Sequence, residues 1–140
     1  MNHPFISKVA EPLSLPFTGA LDVAEHATED LADLMIEQVW LYCLDGKTRL
    51  RAKVLISQGC LSSSILRPRE VMIAAFANHA HSIILVHNHP SGDPTPSHED
   101  MLVTEALHKA CKLMDMPLLD HIIIGREGWV NMASMGIGGF

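Results

Sequence analysis

Short apolar runs alternate with longer stretches of helical periodicity along this chain. The clearest run, Ile83-Ile84-Leu85-Val86, is rich in β-branched residues and bounded by polar ones, which predicts a buried strand. Similar patterns predict strands at 38–44, 49–57, 121–124 and 129–132, and helices at 21–34, 68–79 and from Pro96 to about 114. Strands that alternate with helices predict an α/β fold, with one mixed β-sheet flanked by helices.

The length of 140 residues allows one sizeable core and is too small for two ordinary domains. Prolines at positions 4, 12 and 16 predict an extended, flexible arm over residues 1–20. The domain itself is expected to span residues 21–135. Three glycines near the end predict a flexible tail at 136–140.

The three cysteines, Cys43, Cys60 and Cys111, are odd in number and lack C-x-x-C spacing. They therefore indicate neither a disulfide framework nor a cysteine zinc site, and are best explained as buried apolar residues. No signal-peptide pattern and no apolar run of membrane-spanning length occurs. The expectation is a cytoplasmic location without membrane association.

The formal net charge of −6 originates in the N-terminal part, where seven acidic residues precede Val39 against Lys8 alone. Overall acidity argues against nucleic-acid binding, which relies on Lys and Arg neutralising phosphates. One basic group alternates along a predicted strand and fits a solvated strand face better than a polyanion site: Lys47, Arg49, Arg51 and Lys53.

Candidate chemistry begins where the 83–86 run ends. His87 and His89 lie two apart and so point to the same face, while Asp100 lies near the start of the following helix. Two imidazoles and a carboxylate with an open fourth position are typical of catalytic zinc, and non-haem iron is an alternative. Ser97-x-x-Asp100 also fits a capping box. Pro96 instead predicts Thr95 as the N-cap, which leaves Ser97 and Asp100 on one helical face.

The spacing His87-x-His89, seven residues, Ser97, two residues, Asp100 is that of the JAB/MPN metalloprotease (JAMM) motif. Three longer segments resemble the bacterial RadC family, the UPF0758 group: Pro68-Arg69-Glu70-Val71, the run from His87 to Ser97, and Leu119-Asp120-His121-Ile122-Ile123-Ile124-Gly125. The resemblance extends from about residue 39 to about residue 132.

This resemblance implies a single JAB/MPN-like domain with a cytidine-deaminase-like α/β sandwich. It implies Zn²⁺ held by His87, His89 and Asp100, with water as the fourth ligand, and Ser97 holding the oxyanion of a tetrahedral intermediate. Such a site attacks an amide or isopeptide carbonyl. Asp120 or His121 would orient a ligand or line the site, because a metal-bound His usually donates its other N–H to a neighbouring group. The simpler alternative is that Asp120 ends a loop.

JAMM enzymes also carry a glutamate on an earlier strand as general base. In sequences resembling RadC it is expected a few residues before the glycine at that strand's end, which here gives the stretch 51–59. That stretch contains no carboxylate, and Val54 or Leu55 occupies the expected place. The expectation is then either weak or narrow peptidase activity, or a base recruited from elsewhere, with Glu70 the first candidate and Glu99 the second.

The expected function is therefore a zinc-dependent hydrolase of the metallopeptidase or isopeptidase type, acting on a peptide or protein substrate. The alternative is a catalytically weak or inactive metal-binding MPN-like domain that serves as a protein-interaction module. DNA repair attaches to the family as a label only. The sequence leaves the substrate, the cellular pathway and the formation of a homo-oligomer open.

Overall fold

The computed structural model describes residues 7–8, 15–59 and 66–140. The strands are β1 (Ser7–Lys8), β2 (Gln38–Leu44), β3 (Leu50–Gln58), β4 (Ser82–Asn88), β5 (Leu118–Gly125) and β6 (Gly128–Asn131). The helices are α1 (Ala20–Leu31), α2 (Pro68–Ala77), α3 (His98–Leu113) and α4 (Met132–Met135). The predicted α/β class with a mixed sheet is confirmed.

The strands of the described residues form one sheet in the order β1-β3-β2-β4-β5-β6. Strand β4 is central, antiparallel to β2 and parallel to β5, and each of its residues is buried. A strand covered on both faces needs apolar residues in succession rather than in alternation. This explains the run at 83–86, and the full strand extends that run into His87 and Asn88.

Each face of the sheet has its own core because side chains alternate along a strand. On one face, β2, β3 and β4 pack against α2 and α3, with Leu41, Leu85 and Leu107 fully buried. On the other face, the sheet packs against α1, with Tyr42 and Ile122 buried. His87 shares the α2–α3 face with Leu85, whereas Asn88 lies on the α1 side.

The observed elements are close to the predicted ones, with differences at their ends. The predicted strand at 121–124 is part of a longer strand, and the helix predicted at 21–34 ends at Leu31. The predicted arm at 1–20 falls largely on residues outside those described. Residues 136–140, for which a flexible tail is predicted, turn back onto α3, where the Phe140 and His108 rings lie 4.6 Å apart.

Cys43 and Cys111 are buried free thiols, whereas Cys60 lies outside the described residues. Burial raises the pKa of the Cys43 thiol to about 12 and that of Cys111 to about 11. Both therefore behave as small apolar core residues, as the sequence predicts. None of the helices in the described part of the chain is long and apolar enough to span a membrane.

The loop that follows β4 is held against the end of β5 by backbone contacts. The His89 N–H donates to the Ile124 carbonyl at 2.9 Å, and the Glu127 N–H donates to the Gly92 carbonyl at 3.1 Å. A Cβ at Gly125 would overlap that same Gly92 carbonyl. The absence of a side chain at position 125 thus lets the loop that contains His89 approach the sheet.

We expect Gly125→Ala to lower the free energy of unfolding by about 1–3 kcal/mol, because the new methyl group overlaps backbone that has little room to move. Urea unfolding of the variant and of wild type is the measurement. Gly46→Ala is the control, since its Cβ would only touch the His81 ring at 3.7 Å. Equal stability losses in the two variants would contradict this account of Gly125.

Candidate metal centre

Four side chains from three parts of the sequence converge at the end of β4. They are Glu37, His87, His89 and Asp100, and each offers a ligand atom within 4.8 Å of the others. His87 belongs to β4 and His89 follows it, so the strand's alternation places both rings on the same face. Asp100 comes from the first turn of α3, and Glu37 directly precedes β2.

Three of these groups form a close triangle. The Nε2 atoms of His87 and His89 lie 3.0 Å apart, and the Asp100 carboxylate reaches both, at 3.3 Å from His87 and 3.1 Å from His89. A tetrahedral zinc ion with bonds of about 2.0–2.1 Å separates its ligand atoms by about 3.3–3.4 Å. The triangle therefore needs only small outward shifts to match that spacing.

The position of Asp100 is fixed by the helix cap. The Ser97 Oγ accepts the Asp100 N–H at 3.1 Å, and the Ser97 N–H donates to the Asp100 Oδ2 at 2.8 Å. This is a complete capping box, with Ser97 as the N-cap. The prediction of Thr95 as N-cap is wrong, because the reciprocal Ser97–Asp100 bonds outweigh the preference of Pro96 for the first helical position. The Asp100 side chain thus belongs both to the capping box and to the candidate metal site.

A chain of hydrogen bonds behind His87 determines which of its nitrogens is free. The Thr104 hydroxyl donates to the Asp100 carbonyl at 2.6 Å, so its oxygen accepts from the Nδ1 of His121, also at 2.6 Å. The His121 Nε2 is then an acceptor, and it lies 2.6 Å from the His87 Nδ1. His87 therefore bears its proton on Nδ1 and directs the lone pair of Nε2 toward the triangle.

His89 reaches the same state by a different contact. Its Nδ1 lies 3.0 Å from the carbonyl oxygen of Asp93, which accepts only. The proton of neutral His89 is therefore on Nδ1, and the lone pair of its Nε2 faces that of His87. With both imidazoles neutral, two nitrogen lone pairs and a carboxylate oxygen converge on one point, an arrangement that a bound metal cation would stabilise.

The pKa shifts have the same origin. Burial alone would raise the pKa of Asp100, but its contacts with the His87 and His89 imidazoles outweigh burial and hold that pKa far below its usual value. Burial tends to lower the pKa of His89, yet the Asp100 carboxylate raises it overall. Burial lowers the pKa of His121 well below the usual value, and His87 adds to that effect. His121 is thus held neutral, as its acceptor role requires.

This donor set fits a zinc ion. Neutral imidazole nitrogens and a carboxylate are ligands that zinc accepts, and three protein ligands leave one position open. His87 and Asp100 are almost completely buried, whereas the His89 side chain is 15% exposed, so the open side lies toward solvent. Residues His87, His89 and Asp100, predicted as ligands, are all brought together here.

Glu37 is the residue that sequence reasoning missed. Its Oε1 lies 3.6 Å from the His87 Nε2 and 3.9 Å from the His89 Nε2, farther out than the three atoms of the triangle. The sequence predicts this carboxylate in the stretch 51–59, most of which lies in β3, whereas Glu37 reaches the site from the chain just before β2. The sequence does contain one signal, because Glu37 is an acidic residue just before a predicted strand. Such a residue becomes a candidate base if that strand lies beside β4.

The other two candidate carboxylates are not part of the group of four. Glu70 lies in the first turn of α2, where its carboxylate is 3.6 Å from the Arg67 guanidinium. Glu99 is exposed at the start of α3. Neither residue is brought together with the histidines.

The two residues of the Asp120-His121 pair have different surroundings. His121 is completely buried and contacts His87 directly. Asp120 instead accepts hydrogen bonds from the His121 N–H, the Asn131 side chain and the Ala133 N–H. Burial raises the pKa of Asp120 despite these bonds. Asp120 thus connects the start of β5 with the end of β6 and the start of α4, whereas His121 faces the site.

Comparison with known proteins agrees with the geometry of this site. The model of the RadC-like JAB domain matches residues 17–137. The chain belongs to this family. The match covers β2 to β6, α1 to α4 and all four converging side chains, and it confirms the resemblance given by the sequence motifs.

Relatives in the RadC family are identical to this chain at about two fifths of the aligned residues. A UPF0758 protein of Syntrophotalea carbinolica is 43% identical over 121 residues, which cover 86% of this chain and 53% of that protein. One from Geotalea uraniireducens is 44% identical over 121 residues, with the same two coverages. One from Chlorobaculum parvum is 40% identical over 124 residues, or 89% of this chain and 56% of that protein. The chain thus spans about half the length of these relatives.

The hydrogen-bond chain predicts which ring nitrogen bears the proton in two imidazoles of the metal-free protein. At neutral pH, ¹⁵N NMR of selectively labelled histidine should show His87 and His121 both protonated on Nδ1. In Thr104→Val, which keeps the shape but removes the hydroxyl, we expect His121 to lose this single tautomer. Nε2 protonation of His87 in wild type would contradict the assignment.

Proposed function

We propose that this RadC-family domain is a zinc-dependent hydrolase that cleaves a peptide or isopeptide bond. The observation that carries the proposal is the position of Glu37. Its carboxylate faces the two histidine Nε2 atoms from just outside the triangle, at 3.6 and 3.9 Å. Hydrolysis needs a proton acceptor beside the water that attacks, and a carboxylate just outside the three ligand atoms is placed to serve as one.

His87, His89 and Asp100 would hold the zinc ion. Zinc in such a site acts as a Lewis acid and lowers the pKa of a coordinated water to about 7. Glu37 takes the proton of the attacking water as the new C–O bond forms. It then passes that proton to the amine nitrogen as the C–N bond breaks, which leaves a carboxylate and a free amine as products.

Ser97 is suited to the oxyanion role that the resemblance implies. Its Oγ already accepts the Asp100 N–H, so its own O–H remains able to donate. Ser97 is exposed, at the edge of the site where a substrate carbonyl would arrive. We propose that this hydroxyl stabilises the negative oxygen of the tetrahedral intermediate, while the cap keeps the side chain in place.

His121 would act on the metal indirectly. Its Nε2 accepts a hydrogen bond from the His87 Nδ1–H, which keeps the Nε2 of His87 free for zinc. Thr104 holds His121 in turn. We propose His121 as the residue that orients His87, whereas the contacts of Asp120 give it a role in positioning the backbone of β5.

The alternative is a protein-interaction module that holds a metal without catalysis. Its main support was the missing carboxylate, and Glu37 removes that support. Zinc is preferred to non-haem iron because the sequence contains no second feature that is typical of an oxygenase. The substrate, a cytoplasmic location, a homo-oligomer and the family's DNA-repair label remain expectations about the whole protein, and the acidic composition still argues against nucleic acid as the ligand of this domain.

We expect the wild-type protein, purified without added metal, to contain about one zinc per chain by elemental analysis, the number that one three-ligand site holds. His89→Ala should lower zinc affinity by more than the roughly 10–100-fold that loss of an outer hydrogen-bonding partner costs. His98→Ala is the matched control, because His98 is an exposed histidine at the start of α3. Equal zinc in all three proteins would rule out the proposed ligand set.

Glu37→Gln should retain zinc yet lose about 10²–10⁴-fold in kcat, because the amide has nearly the shape of the carboxylate but cannot accept a proton. The assay uses zinc-loaded protein with a set of quenched fluorogenic peptides and a fluorogenic lysine isopeptide. Glu70→Gln serves as the control and should keep the wild-type rate. A Glu37→Gln protein as active as wild type, or one that no longer binds zinc, would refute the role of Glu37 as base.

A further inference from the structure

Asn88 lies between the two histidines in the sequence but is not one of the candidate ligands. It is the last residue of β4, and only 1% of it is exposed. Its side chain lies on the α1 side of the sheet, opposite to His87, because neighbouring residues of a strand face opposite ways. A buried amide carries two donors and two acceptor positions, so its partners must be provided by the protein.

The two partners of the Asn88 side chain lie on either side of Glu37. Its Oδ1 accepts the Gln38 N–H at 2.7 Å, and its Nδ2 donates to the Ile36 carbonyl at 3.1 Å. The carbonyl of Glu37 itself accepts the Gly59 N–H at 2.8 Å. The backbone around Glu37 is thus held from two directions, by the ends of β4 and β3.

The strand pairing explains why a side chain is needed at this point. The ladder between β2 and β4 has its last pair at Val39 and His87. Beyond that pair, Gln38 still pairs with Gln58 of β3, but Gln38 and the chain before it have no ladder partners on β4. The Asn88 amide supplies one acceptor and one donor in their place. Gly59, at a φ of +106°, supplies the third bond from a conformation that favours glycine.

We propose that Asn88 is a positioning residue that holds the Glu37 carboxylate at the site. This inference rests on the proposed role of Glu37 as the proton carrier. The residue that aligns the base then lies at the end of β4, between the two histidine ligands in the sequence. A shift of β4 would move the ligands and the base together, so their relative geometry is kept.

The chemistry of the clamp is specific to asparagine. An aspartate at position 88 would keep the acceptor for the Gln38 N–H but place a carboxylate oxygen against the Ile36 carbonyl. Alanine would remove both bonds and leave the backbone of Ile36 and Gln38 without those partners. Either change should loosen the segment that contains Glu37 without removing a ligand atom.

The test compares Asn88→Ala and Asn88→Asp with Asn78→Ala. Asn78 is a matched control, since it is also a buried asparagine whose Nδ2 donates to a backbone carbonyl, that of Ala74 at 2.8 Å. It lies at the end of α2, before β4 begins. All three variants lose a buried amide contact, but only two of them affect the clamp.

We expect native-state hydrogen exchange at the Gln38 amide to rise about tenfold in Asn88→Ala, which loses the acceptor of that N–H, and not in Asn78→Ala, whose lost bond lies elsewhere. Asn88→Asp keeps the acceptor and is assessed by the position of the Glu37 carboxylate. Zinc content should equal that of wild type. Crystal structures of the zinc-loaded Asn88 variants should show the Glu37 carboxylate displaced. Gln38 exchange in Asn88→Ala that rises no more than in the control, or an unmoved carboxylate, would overturn the proposal.

A double-mutant cycle connects the clamp to the reaction. On the fluorogenic substrates, Asn88→Ala should lower kcat about tenfold with KM unchanged, and should have little further effect in the Glu37→Gln background. Equal losses of kcat in both backgrounds would show that Asn88 acts independently of Glu37 and would overturn the inference. If Glu37→Gln itself leaves kcat unchanged, the proposed role of Glu37 as base fails, while the exchange and crystallographic results still decide whether Asn88 positions Glu37.

Discussion

The site depends on one constraint: three groups with free electron pairs face one another at close range. When both imidazoles are neutral, no hydrogen lies between these groups. The Nε2 atoms of His87 and His89 and the Asp100 carboxylate lie between 3.0 and 3.3 Å apart. Each donor is held there by a contact on its far side: His121, the Asp93 carbonyl and the cap at Ser97. The fold thus supports an arrangement that is unfavourable until a cation occupies it.

The sheet order makes this arrangement possible. Strand β4 is central, so its end meets β2 on one side and β5 on the other. The neighbour β2 brings Glu37, and the parallel neighbour β5 brings His121 behind His87. Helix α3 crosses the same face and contributes Asp100 at its first turn and Thr104 one turn later. A single strand end therefore receives side chains from three other elements, and the close packing of both sheet faces leaves these groups little freedom.

The sequence was sufficient for the parts of the site that are local in the chain. His87, His89 and Asp100 follow from strand alternation and a short loop. Glu37 could not be located in the same way, because it depends on which strand lies beside β4 and in which register. The helix start shows a local competition: Pro96 favours one cap, and the reciprocal bonds of Ser97 and Asp100 select another.

X-ray absorption at the zinc K-edge of the zinc-loaded chain tests the central claim most directly. The account predicts a shell of nitrogen and oxygen atoms at about 2.0–2.1 Å with multiple scattering from two imidazoles. The His89→Ala protein, loaded at high zinc concentration, should show scattering from one imidazole. A sulfur shell near 2.3 Å, or zinc without imidazole scattering, would contradict the claim that His87, His89 and Asp100 form the metal centre.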